Sequence, residues 1–244
     1  MIDLELTDVA LSRFVRDLDA QAPRTIPEGL RPDLTRATPT DVDHAQLAWS
    51  NRVIGEYRGV VIYTELLALF AELAAPYAAL AAIQRIIGDE LRHTKLCAEV
   101  VSWLDGWSSL EVELEGQRMP PHEGSPAARA LEIVARELVL VETHSVATLR
   151  AYLRAAEDPA IRAVLESLLA DEVRHVAAGR ALEAWIAERY DDPPVRAARA
   201  RLDARLPEEC AHLRAASLAR ATDGPGRALG ASLRPADLDG DGVP

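Results

Sequence analysis

The sequence predicts an all-α protein organised as a four-helix bundle of two helical hairpins. The start signals Ser125-Pro126 and Asp158-Pro159 each pair an N-cap residue with proline at the first helical position. Between the two hairpins lies a stretch of about 20 residues, which predicts a long crossover rather than a short loop. The phrase Asp-Glu-x-Arg-His also occurs twice, at 89–93 and 171–175, once in each predicted hairpin.

Proline, glycine and polar clusters divide the chain into four predicted regions. These are an N-terminal helix and loop (1–40), the bundle (41–190), one or two shorter helices interrupted at Pro207 (191–222), and a flexible tail (223–244). The four bundle helices are expected over about 41–74, 76–105, 126–156 and 159–190.

Composition excludes several classes of function. The chain has 244 residues, a formal net charge of −12 and a pI of about 5.0, which argues against a nucleic-acid partner. No uncharged apolar run is long enough for a membrane span. The acidic start Met1-Ile2-Asp3-Leu4-Glu5 lacks the basic region of a signal peptide, so the cytoplasm is the expected location.

The repeated phrase carries the candidate chemistry. Glu90 and His93, like Glu172 and His175, are three residues apart, so each pair lies on one face of a helix. Carboxylate and imidazole together suit iron, manganese or zinc. The alternative interpretation is an ion-pair network of Asp, Glu, Arg and His that holds the bundle together.

Dinuclear carboxylate bundles add one Glu from each remaining helix. Counting from the hairpin turns, Glu142 lies near the level of Glu172, whereas Glu137 is five residues away, about 140° round an α-helix. In the first hairpin Glu56 and Glu65 bracket the level of Glu90, and Glu65 is preferred because its neighbours Val61 and Ile62 are apolar. The predicted metal ligands are therefore Glu65, Glu90, His93, Glu142, Glu172 and His175.

At these residues the chain resembles the ferritin-like diiron carboxylate superfamily, over about 41–190. The doubled phrase is especially similar to the hydroxylase subunits of bacterial multicomponent monooxygenases. The resemblance implies two Fe ions, with Mn or a mixed Mn/Fe pair as alternatives. It also implies that the acidic and basic residues of each phrase orient the ligating histidines; these are Asp89, Arg92, Asp171 and Arg174. The chain departs from the N-oxygenases, which have a histidine where this sequence has Leu168.

The resemblance implies an oxidoreductase that activates O2 to oxidise a small organic substrate, with a separate electron donor. The alternatives are a ferroxidase or iron-storage protein and a rubrerythrin-like or manganese-catalase-like protein that handles peroxide. An apolar cavity beside the metals would favour the first, and an acidic entry channel the second. The segment 229–234 resembles the docking peptides of encapsulated ferritin-like cargo, which makes a protein shell a candidate partner, and a homodimer is one option for assembly.

Overall fold

The computed structural model describes residues 26–106, 112–122, 124–221 and 224–238. Within these ranges all regular structure is helical and no strand occurs, which confirms the all-α class. None of the helices in these ranges has both the length and the hydropathy needed to cross a bilayer. The helix predicted near the N-terminus lies outside the described residues.

The first hairpin consists of α1 (Pro39–Glu72) and α2 (Tyr77–Trp103). The α1 helix begins with a capping box in which the Thr38 hydroxyl accepts from the Asp41 N–H and the Asp41 carboxylate accepts from the Thr38 N–H. The hairpin turns through Ala74, whose positive φ of 48° closes the end of α1.

The second hairpin consists of α3 (126–155) and α4 (Pro159–Arg189). The predicted N-caps are confirmed: Ser125 accepts from the Ala128 N–H, and Asp158 accepts from two N–H groups of the first turn of α4. The α3 helix is not uniform, since it runs as an α-helix over Pro126–Ile133, a π-helix over Val134–Val141 and an α-helix over Glu142–Ala155.

Two apolar clusters fill the bundle, one toward each end. The first joins the C-terminal half of α1 to the N-terminal part of α3, and its large members include Ile62, Leu66, Phe70, Ile83, Leu131, Leu182 and Trp185. The second joins the N-terminal half of α1 to the C-terminal part of α2, and its members include Trp49, Val53, Cys97, Leu104, Ile161, Leu165 and Leu168. The α2 helix therefore ends at the end of the bundle opposite the start of α3.

A fifth helix, α5 (Pro193–Arg220), follows the bundle as one piece, although a break was predicted at Pro207. Pro207 is exposed, so water can satisfy the backbone carbonyl that loses its N–H partner. Only Val195 and Ala198 of this helix are buried. The remainder of α5 is held against α3 by polar contacts, such as Arg136 with Glu209 at 2.9 Å.

The prediction of a flexible tail is wrong for residues 224–238, which pack against the bundle. The carbonyl of Leu229 accepts from Trp49 Nε1 at 2.9 Å, and Gly226 N–H donates to the Asp41 carboxylate. Leu229 and Leu233, the apolar side chains that a docking peptide would offer, are buried in the chain's own core. In this conformation these side chains are not available to a partner, and the shell-docking peptide stays a prediction.

Candidate metal centre

Six side chains from four helices converge between the two apolar clusters. They form two groups, and within each group one ligand atom per residue lies within 4.8 Å of every other. The groups are Glu56, Glu90, His93 and Glu172, and Glu90, Glu142, Glu172 and His175. Because Glu90 and Glu172 belong to both groups, the arrangement has two sites, each with one histidine, one carboxylate of its own and two shared carboxylates.

The distances show how closely the two halves match. His93 Nδ1 lies 3.2 Å from a carboxylate oxygen of Glu56 and 3.2 Å from one of Glu172. His175 Nδ1 lies 2.8 Å from the other oxygen of Glu172 and 3.2 Å from Glu90. Both imidazoles are fully buried, with ring centroids 5.8 Å apart. Each imidazole therefore aims the same nitrogen at the shared carboxylates.

The donor set fits metal ions. Among the described residues, Glu90 Oε1, Glu172 Oε2 and both ring nitrogens of His175 are buried and make no hydrogen bond of acceptable geometry. Polar atoms left in that state are costly, and a cation at their point of convergence would satisfy them together. Four carboxylates in the cluster also match the charge of two divalent cations.

The pKa shifts reflect this crowding of charge. Burial raises the pKa of Glu90 to about 8, with the charge of Glu172 acting in the same direction. Burial also opposes ionisation of Glu172, but the two histidines outweigh it and hold the pKa of that carboxyl below its ordinary value. Burial opposes the charging of His93, but the carboxylates of Glu172 and Glu56 together outweigh it and raise the pKa of His93 to about 10. The cluster thus retains protons that a bound metal would displace.

Each imidazole is backed by the aspartate of the opposite phrase. Asp171 Oδ2 lies 3.2 Å from His93 Nε2, and Asp89 Oδ2 lies 3.5 Å from His175 Nε2. The two arginines of the repeated phrase, Arg92 and Arg174, form ion pairs with Asp171. With each Nε2 atom held by an aspartate, the Nδ1 atom of each histidine points toward the carboxylates. A metal-ligating histidine typically has this arrangement, with its second ring nitrogen bonded to a carboxylate or carbonyl.

Glu65 lies outside the cluster, so its prediction as the α1 ligand is wrong. The α1 carboxylate in the cluster is that of Glu56. The Glu65 carboxylate accepts from Arg129 Nε at 2.7 Å. In the first hairpin Glu90 is 13 residues after the start of α2, and the residue 13 before the end of α1 is Gly59. No carboxylate stands at that level, and Glu56 supplies one at the next level, opposite His93.

Glu137 lies outside both ligand groups, as predicted, but the α-helical geometry assumed for it is wrong. The N–H of Glu142 donates to the carbonyl of Glu137, which is the five-residue step of a π-helix and places both residues on one side. Glu137 is buried and receives two hydrogen bonds from Arg58, at 2.7 and 3.0 Å. Glu142 lies in the cluster, at the level predicted for it.

Two residues of α1, Tyr63 and Gly59, were not identified from the sequence. Tyr63 holds the carboxylate of Glu142, and Gly59 makes room for the shared carboxylate of Glu90. Tyr63 OH donates to Glu142 Oε1 at 2.5 Å, and burial, aided by Glu142, raises the pKa of Tyr63 well above its ordinary value. Gly59 leaves the space occupied by Glu90, because a Cβ there would lie 2.8 Å from Glu90 Oε2. The seven-residue series Trp49, Glu56, Tyr63 and Phe70 is the signal that could have identified the inward face of α1.

A pocket of about 330 Å³ opens beside the cluster. Its inner wall holds Glu56, Glu90, Glu142 and Glu172. Its remaining wall carries apolar and hydroxyl-bearing side chains, three arginines, His144 and the Glu137 carboxylate that pairs with Arg58. The apolar and hydroxyl-bearing members include Ile62, Val141, Leu149, Tyr152, Thr148 and Ser217, and the arginines are Arg52, Arg58 and Arg220. The volume is in the range that binds small organic molecules.

Comparison of the chain with protein-family models, with curated proteins and with solved structures found no match in any of the three. The observations that bear on its function are therefore the six converging side chains and the adjoining pocket.

Proposed function

We propose that the protein is a dinuclear-metal oxidoreductase, with iron as the metal, that activates O2 to oxidise a small organic substrate. The observation that carries the proposal is the pair of four-residue groups that share Glu90 and Glu172. Oxygen and imidazole ligands in this ratio suit non-haem iron and manganese. Two shared carboxylates would bring the ions close enough to act on one O2 molecule.

The arrangement of the helices supports membership of the ferritin-like diiron superfamily as part of this proposal. The bundle consists of two hairpins, and the first ends at the end of the bundle opposite the start of the second. In the second hairpin Glu142 and Glu172 both lie 13 residues from the turn, so they face each other. In the first hairpin the residue that faces Glu90 is Gly59, and the carboxylate of α1 is supplied by Glu56, about one turn away.

The chain's own residues have separate roles in this proposal. Glu56 and His93 would hold one ion, Glu142 and His175 the other, and Glu90 and Glu172 would contact both. When bound, the two Fe(II) ions supply the electrons that reduce O2. Asp89 and Asp171 fix the imidazoles, and the two apolar clusters restrict water access from each end.

The pocket favours substrate oxidation over iron storage. Its lining carries Arg52 and Arg220, for which the described residues provide no carboxylate partner, and cations beside the cluster repel Fe(II). Iron storage would be served by an acidic channel instead. A pocket this size, in direct contact with the carboxylate cluster, suits an organic molecule.

The proposal predicts two Fe(II) ions per chain and rapid O2 uptake by the loaded protein. Anaerobic Fe(II) titration followed by an oxygen-electrode measurement checks both quantities. His93→Ala and His175→Ala should each lower the iron content and the O2 uptake, since each removes the imidazole from one site. Glu65→Gln is the matched control, because Glu65 contacts Arg129 outside the cluster and its loss should leave iron content unchanged. Stoichiometric iron binding without accelerated O2 uptake would contradict the oxidoreductase assignment.

A further inference from the structure

We propose that the pocket beside the carboxylate cluster binds a small organic acid, and that Arg52 and Arg220 hold its anionic group. This inference rests on the proposed function, because it names the class of substrate that the site would oxidise. It derives from the charges on the outer wall of the pocket, which the metal centre does not use.

Arg52 is a partly buried cation that forms no ion pair with any carboxylate in the described part of the chain. Its guanidinium lies between the rings of Trp49 and Tyr152, 4.4 and 4.2 Å from their centroids. Its Nη2 donates to the Gly230 carbonyl at 2.8 Å, whereas its Nη1 is buried and has no hydrogen-bond partner among the described residues. Stacked in this way, the charge is fixed in place and desolvated, which strengthens its attraction for an anion.

Arg220 is the second unpaired cation of the pocket. It is the last residue of α5, and no carboxylate in the described part of the chain forms an ion pair with it. The neighbouring Ser217 Oγ lies 2.9 Å from His144 Nε2, and this contact joins the end of α5 to α3 beside the pocket. The α5 helix thereby places a guanidinium and a hydroxyl on the outer wall.

Arg58 differs from these two arginines. It makes a bidentate pair with the buried carboxylate of Glu137, so its charge is balanced within the protein. The pocket lining is therefore divided between the buried carboxylates of the cluster, the apolar side chains of Ile62, Val141 and Leu149, and two guanidinium groups that no described carboxylate pairs. A monoanion with a short apolar body fits this division, because its anionic group avoids the carboxylates and its body lies toward the metal ligands.

Hexanoate and hexanamide are a suitable pair of probes, since they differ in charge but hardly in size. Binding of each to the full chain can be measured by isothermal titration calorimetry, with metal-free and with Zn(II)-loaded protein. We expect hexanoate to bind both forms and to bind at least about tenfold more tightly than hexanamide, a difference expected for a charge-assisted contact. Arg52→Gln and Arg220→Gln should each weaken hexanoate binding by roughly tenfold and leave hexanamide unaffected.

Arg214→Gln is the matched control, because Arg214 is an exposed arginine of the same helix that does not line the pocket. Arg220 is itself exposed, so its replacement tests the proposal even if loss of Arg52 perturbs the fold. Equal binding of the acid and the amide, absence of hexanoate binding at millimolar concentration, or hexanoate binding that only Zn(II) permits would overturn the proposal. Metal stoichiometry is measured separately, so a failure of the metal centre would be distinguished from a failure of the anion site.

Discussion

At the scale of single residues, the site depends on an absent side chain as well as on its ligands. Gly59 stands opposite Glu90 at the same distance from the hairpin turn, and its missing Cβ is the space that the Glu90 carboxylate fills. Gly55, one turn earlier on α1, has no atom within 4 Å of the position its Cβ would take. Alanine substitutions at the two positions change helix propensity alike, but only the one at Gly59 would displace a side chain of the cluster.

We expect Gly59→Ala to displace the Glu90 carboxylate and to weaken metal binding by roughly 10–100-fold, the range seen when the support of a metal ligand is lost. Gly55→Ala should leave metal binding unchanged and stabilise the fold by about 0.5–1 kcal/mol, because alanine restricts the unfolded chain. Competition with a chelator measures the affinity, and urea unfolding measures the stability. Equal metal affinity in the two variants would show that Glu90 is not a ligand in this position.

The helical period alone predicts the two Glu-x-x-His pairs, and distance from the hairpin turn predicts Glu142, which also lies in the cluster. Glu90 with His93, and Glu172 with His175, share a face whatever the packing, because three residues separate them. The prediction of Glu65 as a ligand depended on identifying which face of α1 points into the bundle. The apolar neighbours of Glu65 indicated the wrong face. Glu56 lies in a seven-residue series with Trp49 and Tyr63 that indicates the inward face, but whether its partly exposed carboxylate reaches the cluster depends on contacts with the other helices.

At the scale of elements, the π segment of α3 is the feature that the sequence did not predict. Rotation by 100° per residue separates Glu137 from Glu142, whereas the five-residue hydrogen bond aligns them. Close packing accompanies the segment, since a Cβ on Gly179 of α4 would lie 2.7 Å from Leu138 Cβ. The boundaries of the four bundle helices were predictable within two residues, because their start signals are local.

The start of α1 and the C-terminal segment are joined through Asp41. Its carboxylate accepts from Thr38 and from the Gly226 N–H, and these hydrogen bonds lower its pKa below the ordinary 3.8. A group whose pKa is lower in the folded state stabilises the protein above its ordinary pKa, and that contribution is lost as the pH falls through the lowered value. The joint should therefore hold at neutral pH and weaken in acid.

We expect Asp41→Asn to destabilise the protein by about 1 kcal/mol at pH 7, a typical value for lost hydrogen bonds, and to have a smaller effect at about pH 3. Urea unfolding at the two pH values provides the comparison. The control is Asp43→Asn, because Asp43 is exposed in the same helical turn. If both variants show the same loss at both pH values, Asp41 does not join the two segments.

At the scale of the whole molecule, the cluster lies between two apolar regions that hold the four helices at each end. The first region contains Phe70 and Trp185, 5.3 Å apart between ring centroids, and the second contains Trp49, anchored to Leu229. Because apolar packing holds both ends of the bundle, the fold can accommodate a cluster of buried carboxylates and histidines at its centre. The C-terminal segment contributes to the packing at one end through Leu229. The sequence could not predict that contribution, because glycine- and proline-rich composition is shared by flexible tails and by segments that pack.

The central claim is that the six converging side chains hold two metal ions, and an anomalous-scattering map measures this most directly. Crystals of the iron-loaded protein, with data collected at the iron edge, should show two peaks inside the bundle. One should lie between Glu56 and His93 and the other between Glu142 and His175, with Glu90 and Glu172 contacting both. Absence of anomalous density at the cluster, or a single peak outside it, would contradict the claim.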